Sequence, residues 1–156
     1  VKICENISEF KNFSHNLFKR YSELMVEIFI GGQEIQVAIL NGVPLGAIEL
    51  KPKRTFYDYK AKYSKSANTE HIMPANITIA KYKEVLKIAK KAHQALRCKG
   101  VTRSDFKFFK NQFYLLEINT QPGMTSLSLV PEIASYKGIS FEDLVEKILL
   151  NASVNR

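Results

Sequence analysis

Residues 100–123 read GVTRSDFKFFKNQFYLLEINTQPG, two runs rich in aromatic and aliphatic side chains around the polar triplet Lys110-Asn111-Gln112. The pattern predicts a β-hairpin with strands over 101–109 and 113–119 and a short turn. Alternate residues of a strand share a face. Arg103 and Asp105 therefore point one way on the first strand, and Glu117 and Asn119 share a face on the second. With the triplet as the turn, Phe109 faces Phe113, Asp105 faces Glu117 and Arg103 faces Asn119.

Two carboxylates directly opposite each other lie about 4.5–5.5 Å apart at Cβ and repel. A cation between them turns the repulsion into binding. Two acids with an amide oxygen nearby form a hard, all-oxygen set suited to Mg²⁺, which takes few protein ligands and completes its shell with substrate phosphates. Arg103 would then hold an anion beside the metal. Spacing alone leaves a second reading open, a hairpin with one solvated face, because alternating polar residues are routine in antiparallel sheets.

Around this stretch lie 156 residues, enough for one domain with a substantial core. The formal charge is +8, from 23 Lys and Arg against 15 Asp and Glu. That excess favours anionic ligands, but the basic residues are scattered, so it is no nucleic-acid signature. Cys4 and Cys98 lack metal spacing and read as reduced thiols, which fits a cytoplasmic location. No apolar stretch reaches the length of a membrane span and no secretory signal opens the chain. The first residue is Val1, not Met, which raises the expectation of a piece of something longer.

In chain order, Ser8 is placed as the N-cap of a helix over 9–22, with Phe10, Phe13, Leu17 and Tyr21 at helical spacing. Residues 25–30 read as a buried strand broken by Gly31-Gly32. A strand over 33–40 alternates Ile35, Val37 and Ile39 with Glu34, Gln36 and Ala38. Asn41-Gly42 is a hairpin-turn dipeptide leading to a strand over 45–50. These three strands suggest an antiparallel meander. Residues 51–77 lack sustained periodicity but carry Phe56, Tyr57, Tyr59 and Tyr63 among lysines. A stretch of that length is usually functional or disordered; its aromatics argue against disorder, and it reads either as a lid with Lys62 on phosphate or, as is commoner for a lone Lys beside a Tyr, as carrying a plain surface pair.

An amphipathic helix over 78–96 buries Tyr82, Val85, Leu86, Ala89, Ala92 and Leu96, with His93 at its border and Gly100 as its C-terminal cap. After the hairpin, Gly123 allows close backbone approach to a ligand, and the N–H groups around Ser128 open a helix over 129–137 where an anion could sit. Ser140 caps a final helix. The class is α+β, an antiparallel sheet with packed helices.

Four segments taken together resemble the C-terminal half of D-alanine–D-alanine ligases, members of the ATP-grasp superfamily. They are VEIFIGGQE (26–34), TFYDYKAKY (55–63), GVTRSDF (100–106) and LLEINTQPGMTSLSLVPE (115–132). The resemblance implies the C-terminal part of an ATP-grasp fold, with 1–24 as the tail of the central lobe and 25–156 as the C-terminal catalytic domain. It places Glu27 and the backbone near Ile28 and Ile30 on adenine, Glu34 on the ribose hydroxyls and Lys62 on the nucleotide phosphates. Tyr63 falls in the network supporting the first substrate, and Asp105, Glu117 and Asn119 on two Mg²⁺ ions, which Mn²⁺ could replace. Arg103 and the N–H of Gly123 match the groups that stabilise the tetrahedral intermediate. Ser128 and the N–H of Leu129 match the site of the second substrate's carboxylate.

The implied reaction is ATP-dependent joining of two D-alanines through an acyl phosphate, for peptidoglycan synthesis. Its implied partners are ATP, D-alanine and the missing N-terminal half of the same protein, with the full-length enzyme a homodimer and neither nucleic acid nor membrane involved. The chain lacks what resembles the N-terminal domain and the glycine/serine-rich phosphate loop, so it is expected to be inactive alone. The alternatives are a non-catalytic Mg-nucleotide-binding fragment and half of a D-alanine–D-lactate or D-alanine–D-serine ligase.

Overall fold

The computed structural model describes residues 1–51 and 69–152. They fall in two compact units, Val1–Ile30 and Gly31–Arg156. In the first unit, helix α1 spans Ile7–Phe18. Its N-cap is Asn6, not the expected Ser8, and Asn6 Oδ1 accepts from the Glu9 N–H at 2.9 Å. Asn caps as well as Ser, and Glu9 reaches back to accept from the Glu5 N–H at 3.3 Å. No residue of α1 is buried.

The expected strand over 25–30 does not form. Met25 is 86% exposed and Ile28 89%, in a chain without regular structure. A strand needs a neighbouring backbone to take its N–H and C=O groups. No described backbone pairs with this one, so its apolar sequence alone does not make it a strand and the three-strand meander is lost.

The second unit is built on a five-stranded antiparallel sheet. Its strands are β1 (Gln33–Leu40), β2 (Val43–Lys51), β3 (Glu70–Ile72), β4 (Val101–Phe109) and β5 (Gln112–Asn119). Their order is β3-β2-β1-β4-β5. Asn41 and Gly42, both at positive φ, turn β1 into β2 as their dipeptide predicts. The three-residue strand β3 lies inside the stretch that carried no periodic signal.

Among the described residues of this unit there are three helices: α2 (Ile79–Ala95), α3 (Leu129–Tyr136) and α4 (Phe141–Leu150). Thr78 caps α2 and Ser140 caps α4, each side-chain oxygen accepting a backbone N–H three residues on. Ile35, Val37 and Ile39 pack on the α2 side with Val85, Ala89 and Phe106. Ala38 and Leu40 pack on the other side with Leu129, Ile133 and Leu144 of α3 and α4. β1 therefore has no solvated face, and the simple alternation expected of it is overridden by helices on both sides.

Three details of α2 differ from expectation. Its left-handed C-terminal residue is Arg97 at φ 51, not Gly100. The Cys98 and Arg97 N–H groups donate to the His93 and Gln94 carbonyls, the bond pattern of a Schellman ending. His93 is buried, not a border residue, at 3% exposure, and its Nδ1 lies 2.8 Å from Thr102 Oγ1 on β4. Leu96, expected inside, is 60% exposed, since it is the C-cap and lies just past the last helical residue, Ala95.

Candidate active site

The hairpin reaches the expected pairing by a different route. Its turn has two residues, Lys110 and Asn111, both at positive φ (47 and 64), as a type I′ turn requires. Phe113 consequently faces Phe108, not Phe109, and their rings stack at 4.5 Å. A bulge then adds Leu116 to β5, between the pairs Phe106–Leu115 and Asp105–Glu117. The shorter turn and the extra residue cancel. Asp105 lies opposite Glu117 and Arg103 opposite Asn119, as the spacing predicted.

Across the sheet the register aligns Gln36, Asp105 and Glu117 in one row. Glu34, Lys107 and Tyr114 form the next row, and Ala38, Arg103 and Asn119 the one before. These residues share the face on which Ala38 meets α3 and α4. That face is divided: apolar and covered toward Leu40, polar toward Glu34.

Within the polar half, Arg103 and Asp105 are 5% and 8% exposed. The guanidinium donates from Nε to Asp105 Oδ1 at 2.7 Å and from a terminal nitrogen to Oδ2 at 2.8 Å, a two-pronged pair. Glu117 is exposed. Asn119 Oδ1 accepts from the Gln121 N–H at 3.0 Å, which turns the chain out of β5.

No group of three or more His, Cys, Asp and Glu side chains arranged for a metal occurs among the described residues. The smaller set here fits Mg²⁺ nonetheless, since that ion is commonly held by one or two carboxylates plus phosphate oxygens and water. Asp105, Glu117 and Asn119 supply only hard oxygens, and a carboxylate oxygen serving Arg103 keeps a second lone pair. In the same row, Gln36 is fully buried and its Oε1 has no hydrogen-bond partner among the described residues.

Downstream, a polar loop returns from Asn119 to α3. Ser128 opens that helix but does not cap it with its side chain. Its Oγ accepts instead from the Thr125 N–H at 3.0 Å and lies 2.9 Å from Thr125 Oγ1. A Cβ at Gly123 would fall 2.8 Å from Ser128 Oγ, so the two predicted residues adjoin and any side chain at 123 would displace Ser128.

The remaining expected residues fall elsewhere. Glu27, Ile28 and Ile30 belong to the first unit, in the irregular stretch that forms no strand. Lys62 and Tyr63 lie outside the described residues. Lys107 was not anticipated: its Nζ lies 3.1 Å from Glu34 Oε2, and Gln36 Nε2 donates to Glu34 Oε1 at 3.4 Å. Period-two counting does put Lys107 on the face of Asp105, but only the β1–β4 register brings it to Glu34.

No helix among the described residues is long and apolar enough to cross a membrane. The family profile described as the D-ala D-ala ligase C-terminus matches residues 1–150. The D-alanine–D-alanine ligase of Pelagibacter ubique is 57% identical over 156 residues, all of this chain and 51% of that protein. The corresponding ligase of Geotalea uraniireducens is 48% identical over 99% of this chain and 50% of its own length. Among solved structures, the D-alanine–D-alanine ligase of Bacillus anthracis complexed with ATP superposes with a TM-score of 0.78 at 32% identity, covering 96% of this chain and 49% of that one. The VanG D-Ala:D-Ser ligase of Enterococcus faecalis gives 0.76 at 28% identity, over 92% and 43%. The chain thus spans about half the length of the curated relatives it matches. It belongs to the family of the D-ala D-ala ligase C-terminus.

Proposed function

We propose that this chain supplies the catalytic C-terminal half of an ATP-dependent D-alanine–D-alanine ligase. In this reading residues 1–24 end the central lobe and 25–156 form the C-terminal lobe. The observation that carries it is the row in which Asp105 faces Glu117 with Arg103 bound to Asp105. An isolated hairpin gains nothing from that concentration of charge, whereas a phosphoryl-transfer site uses all of it.

Asp105, Glu117 and Asn119 would hold Mg²⁺, which when bound neutralises charge on the transferring phosphoryl group. Glu34 would receive the ribose hydroxyls, Glu27 and the backbone near Ile28 and Ile30 the adenine, and Lys62 the phosphates. The carboxylate of the first D-alanine takes the γ-phosphoryl of ATP, with Tyr63 in the network that holds this substrate. The amine of the second D-alanine then attacks the acyl carbon and phosphate leaves. Arg103 and the Gly123 N–H donate to the oxyanion that develops; a guanidinium has five N–H donors, two of which serve Asp105. Ser128 and the Leu129 N–H, at the positive end of α3, hold the second carboxylate.

Because the chain spans about half of its relatives, a second reading applies to the isolated polypeptide: it holds Mg-nucleotide without joining substrates. ATP-dependent phosphate release with D-alanine tests both. None is expected from residues 1–156 alone, and release should appear when they are joined to the N-terminal half. Turnover by the isolated chain defeats the second reading, and its absence from the joined protein defeats the first. Competition of D-serine and D-lactate for the second position in that assay reads the selectivity.

A further inference from the structure

Glu34 is held before any ligand arrives. Lys107 lies directly opposite it on β4, and the ammonium meets Oε2 at 3.1 Å. Gln36, two residues along β1 on the same face, directs Nε2 to Oε1 at 3.4 Å. The side chains of Lys107 and Glu34 are only 22% and 12% exposed, and Gln36 is fully buried. Both carboxylate oxygens thus have a partner within the sheet, and each keeps a lone pair.

We infer that Lys107 and Gln36 are positioning residues for the nucleotide: they fix the Glu34 carboxylate so that its outer lone pairs accept from the two vicinal hydroxyls of a ribose. The inference rests on the reading of Glu34 as the ribose acid. A carboxylate on a freely rotating Glu side chain loses rotamer entropy when it binds a diol, and the two partners remove that loss in advance. Discrimination for ribose, and not affinity for phosphates, is therefore what Lys107 and Gln36 contribute.

The test uses the ligase that carries this chain, titrated with Mg-ATP and with Mg-2′,3′-dideoxy-ATP in the wild type, Lys107→Met, Lys107→Arg and Gln36→Met. Wild type should prefer ATP by roughly 10- to 100-fold, in the range expected for a lost pair of hydrogen bonds to a charged group. Lys107→Met and Gln36→Met should each reduce that preference by about fivefold or more while changing dideoxy-ATP binding by less than about twofold, and Lys107→Arg should restore most of it. Equal weakening of both nucleotides by Lys107→Met would show a general charge effect and overturn the inference, as would an unchanged preference. Thermal unfolding of each variant identifies one that fails to fold, and Lys107→Arg and Gln36→Met then decide the matter. The binding titration is read without turnover, so loss of D-alanine-dependent phosphate release in wild type would count against the ligase reading alone.

Discussion

Asp105 faces Glu117 across the β4–β5 pair, and the two acids live in different surroundings. Asp105 is buried and gripped at both oxygens by Arg103, whereas Glu117 is exposed with no such partner among the described residues. The same pair of acids thus divides between a side chain that also supports the fold and one that supports only the site. Replacing Glu117 with Gln should lower ligase turnover by roughly 1,000-fold, since several kcal/mol of charge stabilisation would be lost. The midpoint of denaturant unfolding should stay unchanged. Near-normal turnover would sink the metal assignment.

Asp105→Ala should behave differently. It strips Arg103 of a buried two-pronged partner, and breaking a buried pair costs roughly 3–5 kcal/mol. Urea unfolding of the variant should shift accordingly, at unchanged slope. A shift under about 1 kcal/mol would mean the pair is far better solvated than its exposure indicates.

Gly123→Ala tests the loop before α3. The added methyl falls 2.8 Å from Ser128 Oγ, which is itself held by the Thr125 N–H, so Ser128 must move. Misplacing a substrate-holding group by a fraction of an ångström to an ångström can cost about 100-fold. We expect kcat/KM for the second D-alanine to fall by that order while KM for ATP hardly moves. Equal losses on both substrates would place Gly123 outside the second-substrate site.

His93 gives a pH dependence with a definite sign. Burial on the inner side of α2, beside Thr102 of β4, pushes its pKa below the ordinary 6.5. The unfolded chain therefore takes up a proton at this residue before the folded one does. Above the unfolded value His93 contributes no pH dependence; as pH falls through 6.5 toward the depressed folded value, stability is lost. Melting curves from pH 8 to 5 should fall more steeply for wild type than for His93→Gln, with the difference opening below about pH 6.5. Parallel curves would remove His93 from the account.

Much of this was legible in the sequence, where local chemistry decides. Asn41-Gly42 placed one hairpin, Thr78 and Ser140 marked two helix starts, and period two put Arg103, Asp105, Glu117 and Asn119 on one face. The hairpin succeeded through two compensating errors, a turn one residue shorter and a bulge one residue longer, because strand counting sees only their sum. The strand over 25–30 failed for the opposite reason, since its apolar residues say what it could bury but not whether a partner backbone exists. Glu34–Lys107 and His93–Thr102 were out of reach because both depend on which distant elements the sheet and α2 bring together.

Deleting Leu116 would expose the bulge's role most directly. The remaining residues would pair without interruption, Leu115 opposite Phe106 and Glu117 opposite Asp105, so the two acids would stay face to face while the local twist relaxes. Mg-nucleotide binding should be retained with little change in far-ultraviolet circular dichroism; loss of binding would show that the bulge's local geometry, and not the pairing alone, makes the site.

The bulge has a second consequence, for the behaviour of many copies together. β5 is the end strand of the sheet and carries exposed Leu115 and Leu116. A flat, apolar edge of eight residues is an invitation to add a strand from another molecule. The extra residue interrupts the even row of N–H and C=O groups and increases local twist, and the adjacent Glu117 adds charge. The irregularity that sets two acids face to face thus also guards the edge against aggregation, so a substitution that regularises β5 should endanger solubility as well as chemistry.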